Sequence, residues 1–122
     1  MIGRAFVGFA VAAGAFAVGS CYLAETPGTG SRAATGYRAA APVIVALEAF
    51  HRQHDHYPRA LQELVPRYLD AAAAKLDTGY VFGFTYKRRA ASYTLTFTYH
   101  AAAINDCSYD SQTKRWDCSG YF

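Results

Sequence analysis

Tyr93, Leu95, Phe97 and Tyr99 alternate without a break with Thr94, Thr96 and Thr98. Successive side chains of a strand point to opposite faces, so these residues make a strand with one apolar face and one hydroxyl face. A sheet that is wet on one side has to bury the other, and an element with an apolar face of its own must be laid over it. Tyr80, Phe82, Phe84 and Tyr86 carry the same period of two upstream, with Val81, Gly83 and Thr85 facing the other way. The Asp77-Thr78-Gly79 turn precedes that strand, and residues 87–92 turn the chain into the next.

The cover comes from residues 38–53. Val43, Leu47 and Phe50 recur at the helical period, Ile44 and Ala46 widen the stripe, and Glu48, Arg52 and Gln53 lie elsewhere. Pro42 fits the first turn, where a missing N–H is harmless; a kink inside a longer helix starting near Arg32 is the alternative. Tyr57-Pro58 ends the helix, because a residue before proline is pushed out of the α region. A short helix over residues 59–65 follows, burying Leu61, Leu64 and Val65, and Pro66 stops it. The expected fold class is α+β: an amphipathic helix and a short helix packed on an antiparallel sheet of about four strands. Aromatic residues are 16% of the chain and charged residues 17%, the balance of a packed globular domain rather than a disordered one. A formal charge of +3 is too weak to make nucleic acid the main ligand.

The N-terminus reads as an export signal. Arg4 gives a short basic start, and residues 5–18 hold no charge and no strongly polar group. Val18-Gly19-Ser20-Cys21 then resembles the lipobox of bacterial lipoproteins, an aliphatic residue and two small ones before the cysteine that is acylated. The alternative is an uncleaved membrane helix, since residues 5–24 are twenty without a charge. Half of that segment is Ala and Gly, which barely favour insertion. Residues 1–20 are expected to be a signal peptide, 21–35 a flexible lipid-anchored tether whose 24–31 run is small, polar and glycine-rich, and 36–122 the folded domain. Three cysteines are an odd number for an oxidising compartment, and acylating Cys21 leaves Cys107 and Cys118 as a disulfide pair.

That pair implies a register. Facing residues of an antiparallel pair have a constant sum of numbers, so Cys107 opposite Cys118 puts Tyr109 opposite Trp116 and Asp110 opposite Arg115. Residues 111–114 are left as a four-residue turn. The competing reading is a covalent clip around an irregular loop.

Ala46-Leu47-Glu48-Ala49-Phe50, then Tyr57-Pro58, then Leu61 to Leu69 resemble the globular half of type IV pilins and type II secretion pseudopilins. The resemblance covers about two-thirds of the chain, and its residue-specific part is the helix, the Tyr-Pro turn and the short helix. It implies a pilin-like fold, often with a disulfide near the C-terminus. Two departures are visible. Nothing supplies the glutamate that follows a prepilin-peptidase site, and His56 stands where the family carries glycine before Tyr-Pro.

Other constellations are weaker. His51 and His54, with Asp55 and His56, could share a metal at helical spacing, but the spacing matches no zinc motif, and histidines also gather at helix C-termini for the dipole. Asn105, Asp106, Ser108 and Asp110 offer oxygens for Ca²⁺ from alternating strand positions that face opposite ways. Lys87, Arg88 and Arg89 read as a solvated sheet edge that resists association. No Gly-x-Ser-x-Gly, His-Glu-x-x-His, phosphate loop or dinucleotide fingerprint is present. The expectation is therefore a non-enzymatic protein with no cofactor and no bound metal, exported and anchored by lipid, facing the periplasm or the cell surface. It would serve as a structural or interaction component of a secretion or pilus-type assembly with a protein partner in the envelope. The alternative is a periplasmic binding or inhibitor module of the immunity type.

Overall fold

A computed structural model describes residues 25–70 and 83–121. The signal segment 1–20, Cys21, the turn at 77–79, Tyr80 and Phe82 lie outside the described residues. One long helix, α1 (Gly30–His54), precedes a 3₁₀ turn (Leu61–Leu64) and four strands: β1 (Phe84–Arg88), β2 (Tyr93–His100), β3 (Ile104–Asp110) and β4 (Arg115–Tyr121). The strands form an antiparallel meander in the order β1-β2-β3-β4. The fold is α+β.

Strand β2 sits inside the sheet and alternates as its sequence demands. Tyr93, Leu95, Phe97 and Tyr99 are all buried, and the threonines between them are half-exposed. Helix α1 lies across that inner face. Its buried residues run Ala33, Gly36, Ala40, Val43, Ala46, Leu47, Phe50, small at the N-terminal half and large at the C-terminal half. The gradient sets how the helix meets the sheet. Val43, Leu47 and Phe50 share one cluster with Tyr93 and Leu95, whereas Ala33 joins Phe97, Tyr99 and Cys107 in a second. At Gly36 a Cβ would lie 2.2 Å from the Phe97 ring, so only glycine lets the backbone approach this closely.

Three local expectations are corrected, and at Pro42 the alternative reading holds. The helix begins at Gly30 rather than near Arg38, so residues 30–35 belong to it and not to the tether. Pro42 is inside α1, as in the alternative of a longer helix rather than in a first turn, and it lies on the exposed side, where the Arg38 carbonyl it leaves unbonded can turn to water. The helix stops at His54, earlier than Tyr57-Pro58, because Asp55 adopts the left-handed conformation (φ 59°) and donates its N–H to the His51 carbonyl. The short helix shrinks to one 3₁₀ turn in which Leu64 alone is buried, while Leu61 and Val65 are half-exposed. The Glu63 carboxylate reaches back to accept the Arg59 and Ala60 N–H groups at its start.

The C-terminal hairpin has the expected register. Cys107 faces Cys118, Tyr109 faces Trp116 and Asp110 faces Arg115. The two cysteines are disulfide-bonded with their Cα atoms 4.1 Å apart. Asp110 also organises the turn, its Oδ1 accepting the Gln112 N–H at 2.8 Å while its carbonyl accepts from Lys114. Reducing the disulfide should lower stability by roughly 2–3 kcal/mol, the loop-closure value for so short a loop. Urea unfolding with and without reductant reads this; coincident transitions would mean that the strand pairing alone holds the hairpin.

Candidate functional site

Helix α1 does not cover the whole inner face of the sheet. Tyr37, Ile44 and Glu48, spaced i, i+7, i+11, line the helix side turned toward β3 and β4, and all three stay half-exposed. Opposite them Tyr109 and Trp116 are also half-exposed, although both point inward. The result is an aromatic corner between helix and hairpin. Trp116 is its centre, with ring centroids 5.0 Å from Tyr37, 5.3 Å from Phe97 and 5.4 Å from Tyr109. Most of these pairs are edge-on, the arrangement that aromatic quadrupoles favour.

Behind the rings the corner is braced. The Tyr37 hydroxyl donates to the Gly28 carbonyl at 3.0 Å and sits 3.2 Å from Cys118 Sγ. Gly28 donates its own N–H to the Tyr99 hydroxyl at 2.8 Å. Its φ is +85°, and a Cβ there would fall 2.7 Å from Cys118 Sγ, so glycine alone serves. The segment before α1 is thus held against the disulfide.

Toward the other end of the corner the polar groups converge on Glu48. The Tyr57 hydroxyl donates to the Glu48 carboxylate at 3.1 Å, and the Tyr57 ring lies 4.8 Å from Tyr93, which in turn is 6.1 Å from Tyr109. Burial raises the phenol pKa of Tyr57 and Tyr109, and the Glu48 carboxylate raises both further. Burial likewise pushes Tyr86 up to about 12 and Tyr93 higher. All of these phenols are held neutral, Tyr57 and Tyr86 as hydrogen-bond donors to Glu48 and the Pro58 carbonyl.

Tyr93 is 1% exposed, and its hydroxyl has no hydrogen-bond partner among the described residues. A buried hydroxyl left unpaired is a cost, so Tyr93→Phe should leave stability unchanged or raise it by about 1 kcal/mol. Urea unfolding measures it. A loss above about 1 kcal/mol would show that the hydroxyl makes a bond of real worth.

The structure separates the other candidates. His51 stacks on Tyr57 at 4.4 Å, while His54 lies 4.2 Å from the Phe50 ring and its Nε2 is 3.1 Å from the Tyr68 hydroxyl. The two imidazoles are given to different aromatic partners, and no group of three metal-ligating side chains occurs among the described residues. Asn105 turns inward, its Nδ2 donating to the Ala103 carbonyl at 2.9 Å. Asp106 accepts from Thr98, and Ser108 pairs with Thr96 at 2.7 Å, both on the outer face. Lys87 and Arg88 lie on the edge strand β1 with Arg89 just beyond it, all exposed, and Arg88 Nη1 donates to the Tyr57 carbonyl at 3.2 Å. Cys107 and Cys118 are joined, and Cys21 lies outside the described residues.

Sequence reasoning found Tyr109 and Trp116 through the register but passed over Tyr37 and Glu48. The available signal was their spacing, which puts both on one flank of the apolar stripe. Set beside known proteins, the chain matches no family model, no curated protein and no solved structure.

Proposed function

We propose that the chain is an exported, non-enzymatic envelope lipoprotein, anchored through Cys21, whose pilin-like domain is a structural or interaction component of a secretion or pilus-type assembly. One observation carries the interaction reading: Tyr37, Tyr109 and Trp116 form a half-exposed aromatic surface on a backing of helix, sheet and disulfide. Rigid aromatic side chains give large contact area at small entropic cost, which is why they anchor protein interfaces. The pilin-like part of the reading is supported by the helix laid on an antiparallel meander, the Tyr57-Pro58 turn and the C-terminal disulfide. The export and anchor reading rests on the N-terminal sequence.

A second reading, a periplasmic binding or inhibitor module, is favoured by Glu48. It places an acidic group at the end of the aromatic corner, where a basic side chain of a partner would find both a counter-charge and ring faces. Native-size analysis of membrane extracts separates the two. An assembly component should migrate in a large complex that Trp116→Ala dissolves; an inhibitor should form a small complex of fixed stoichiometry. A wild-type chain running alone would defeat both. Intact mass of the same extract tests the anchor, since an unprocessed 13.3 kDa chain beginning at Met1 would end the lipoprotein reading.

A further inference from the structure

The outer face of the sheet is polar along nearly its whole length, with Thr96, Thr98, Asp106 and Ser108 paired across the strands. Its last row is different. There His100 faces Ile104, and Ile104 faces Tyr121. Ile104 is 46% exposed and Tyr121 59%, and with Val45 on the helix they are the exposed large hydrophobics among the described residues. Beyond the row the chain turns through Ala101, Ala102 and Ala103, which line one side of a cleft of about 330 Å³. The Arg32 guanidinium donates to the His100 carbonyl and adds an exposed cation to this end.

The N-terminal segment enters at the same place. Glu25, Thr26 and Pro27 line the other side of the cleft. Cys21 precedes Glu25 by four residues, which span at most about 14 Å even when fully extended. From this point α1 runs 25 residues, about 37 Å at 1.5 Å per residue, to the end that carries His51 and His54.

We infer that this terminal row, Ile104 and Tyr121 with the 101–103 loop beside them, rests on the lipid surface to which the chain is anchored. The inference rests on the membrane-anchor reading of the N-terminus. An anchor at Cys21, or a membrane helix ending at Ala24, holds this end of the domain within a tether's length of the bilayer. The side chains it holds there suit that boundary. A tyrosine presents an apolar body with a polar tip, the combination enriched at membrane–water interfaces. Ile104 adds apolar surface for shallow insertion, and Arg32 can meet a phosphate group. The contact stands the domain on its end, with the long axis of α1 rising from the membrane and the aromatic corner on its flank, open to a partner.

Emission quenching by brominated lipid tests the contact. The full-length chain is reconstituted in vesicles of phosphatidylglycerol and phosphatidylcholine, plain or brominated on the acyl chains. Tyr121→Trp in a Trp116→Phe background places the reporter in the terminal row. Ile104→Trp in the same background reports from the neighbouring strand, so one misfolded variant leaves the other. The unsubstituted chain reports from Trp116, five residues and about 17 Å along β4. The expected result is a loss of emission in brominated vesicles at positions 121 and 104 that exceeds the loss at Trp116. Equal or absent quenching overturns the contact, as does shielded but unquenched emission, which would mean a second copy or another protein covers the row. Intact mass of the reconstituted chain keeps the two readings apart. An acylated chain without quenching at the row overturns the contact and leaves the anchor standing. A chain without lipid whose row is quenched supports the contact and overturns acylation at Cys21, and one without lipid or quenching overturns both.

Discussion

Phe97→Ala should lower the unfolding free energy by about 3–5 kcal/mol, the largest effect expected of any single side chain in this domain. The ring is fully buried and lies between Tyr37, Trp116 and Tyr99, with α1 directly above it. Its loss leaves a cavity that rigid neighbours cannot close. Gly36 sharpens the test, because a methyl group there would sit 2.2 Å from the same ring. In the parent chain Gly36→Ala should therefore destabilise by about 1–3 kcal/mol through overpacking, less the ~1 kcal/mol that alanine returns in a helix interior. In the Phe97→Ala background the methyl has room, and the same substitution should stabilise. A change of sign between backgrounds is the signature of direct contact. Urea midpoints of the four proteins, with the disulfide intact, read the cycle; a stabilising Gly36→Ala in the parent chain would place the helix farther from the sheet.

The second large effect is Leu47→Ala, which should cost about 2–5 kcal/mol. Leu47 is fully buried in the middle of the α1 stripe, in the cluster that joins Val43 and Phe50 to Tyr93 and Leu95. A domain of this size is stable by only about 5–15 kcal/mol, so such a loss approaches global unfolding. Val45, two residues away and 66% exposed, supplies the control. Val45→Ala should stay within about 0.5 kcal/mol of the parent. Equal costs at the two positions would mean that α1 does not lie on the sheet by this face.

Both predictions bear on the aromatic corner. Phe97 supports Trp116 and Tyr37 from below, and the Leu47 cluster seats α1 on β2 through Tyr93 and Leu95. On the proposed interaction reading, substitutions beneath the corner should therefore weaken partner binding through displaced rings, while Trp116→Ala should weaken it by removing a contact ring, at a smaller cost in stability than Phe97→Ala because Trp116 is already half-exposed. Comparing complex formation with unfolding free energy across the three variants distinguishes the two routes.

The strand pattern was legible because a strand's period is a property of the backbone. Tyr93, Leu95, Phe97 and Tyr99 could be buried together on one face only, and they are. The hairpin register was legible for a similar reason: once Cys107 and Cys118 are paired, antiparallel geometry leaves Tyr109 no partner but Trp116. The large residues of the helix stripe announced themselves at Val43, Leu47 and Phe50. Its first two turns did not. Ala33, Gly36 and Ala40 carry almost no hydrophobic signal; Ala33 and Gly36 are buried because Phe97 and Tyr99, some sixty residues on, fill the space that they leave, and Ala40 is buried in the cluster of Tyr93 and Leu95. The same holds for the corner. Glu48 reads only as a residue off the apolar stripe, and Tyr37 carries no signal of its own, until the hairpin places Tyr109 and Trp116 opposite them. Sequence by itself determined what each segment must bury, since periodicity and covalent pairing act within a few residues. Only the tertiary structure decided how closely helix and sheet approach and which face stays open, because those depend on the fit between side chains far apart in the chain.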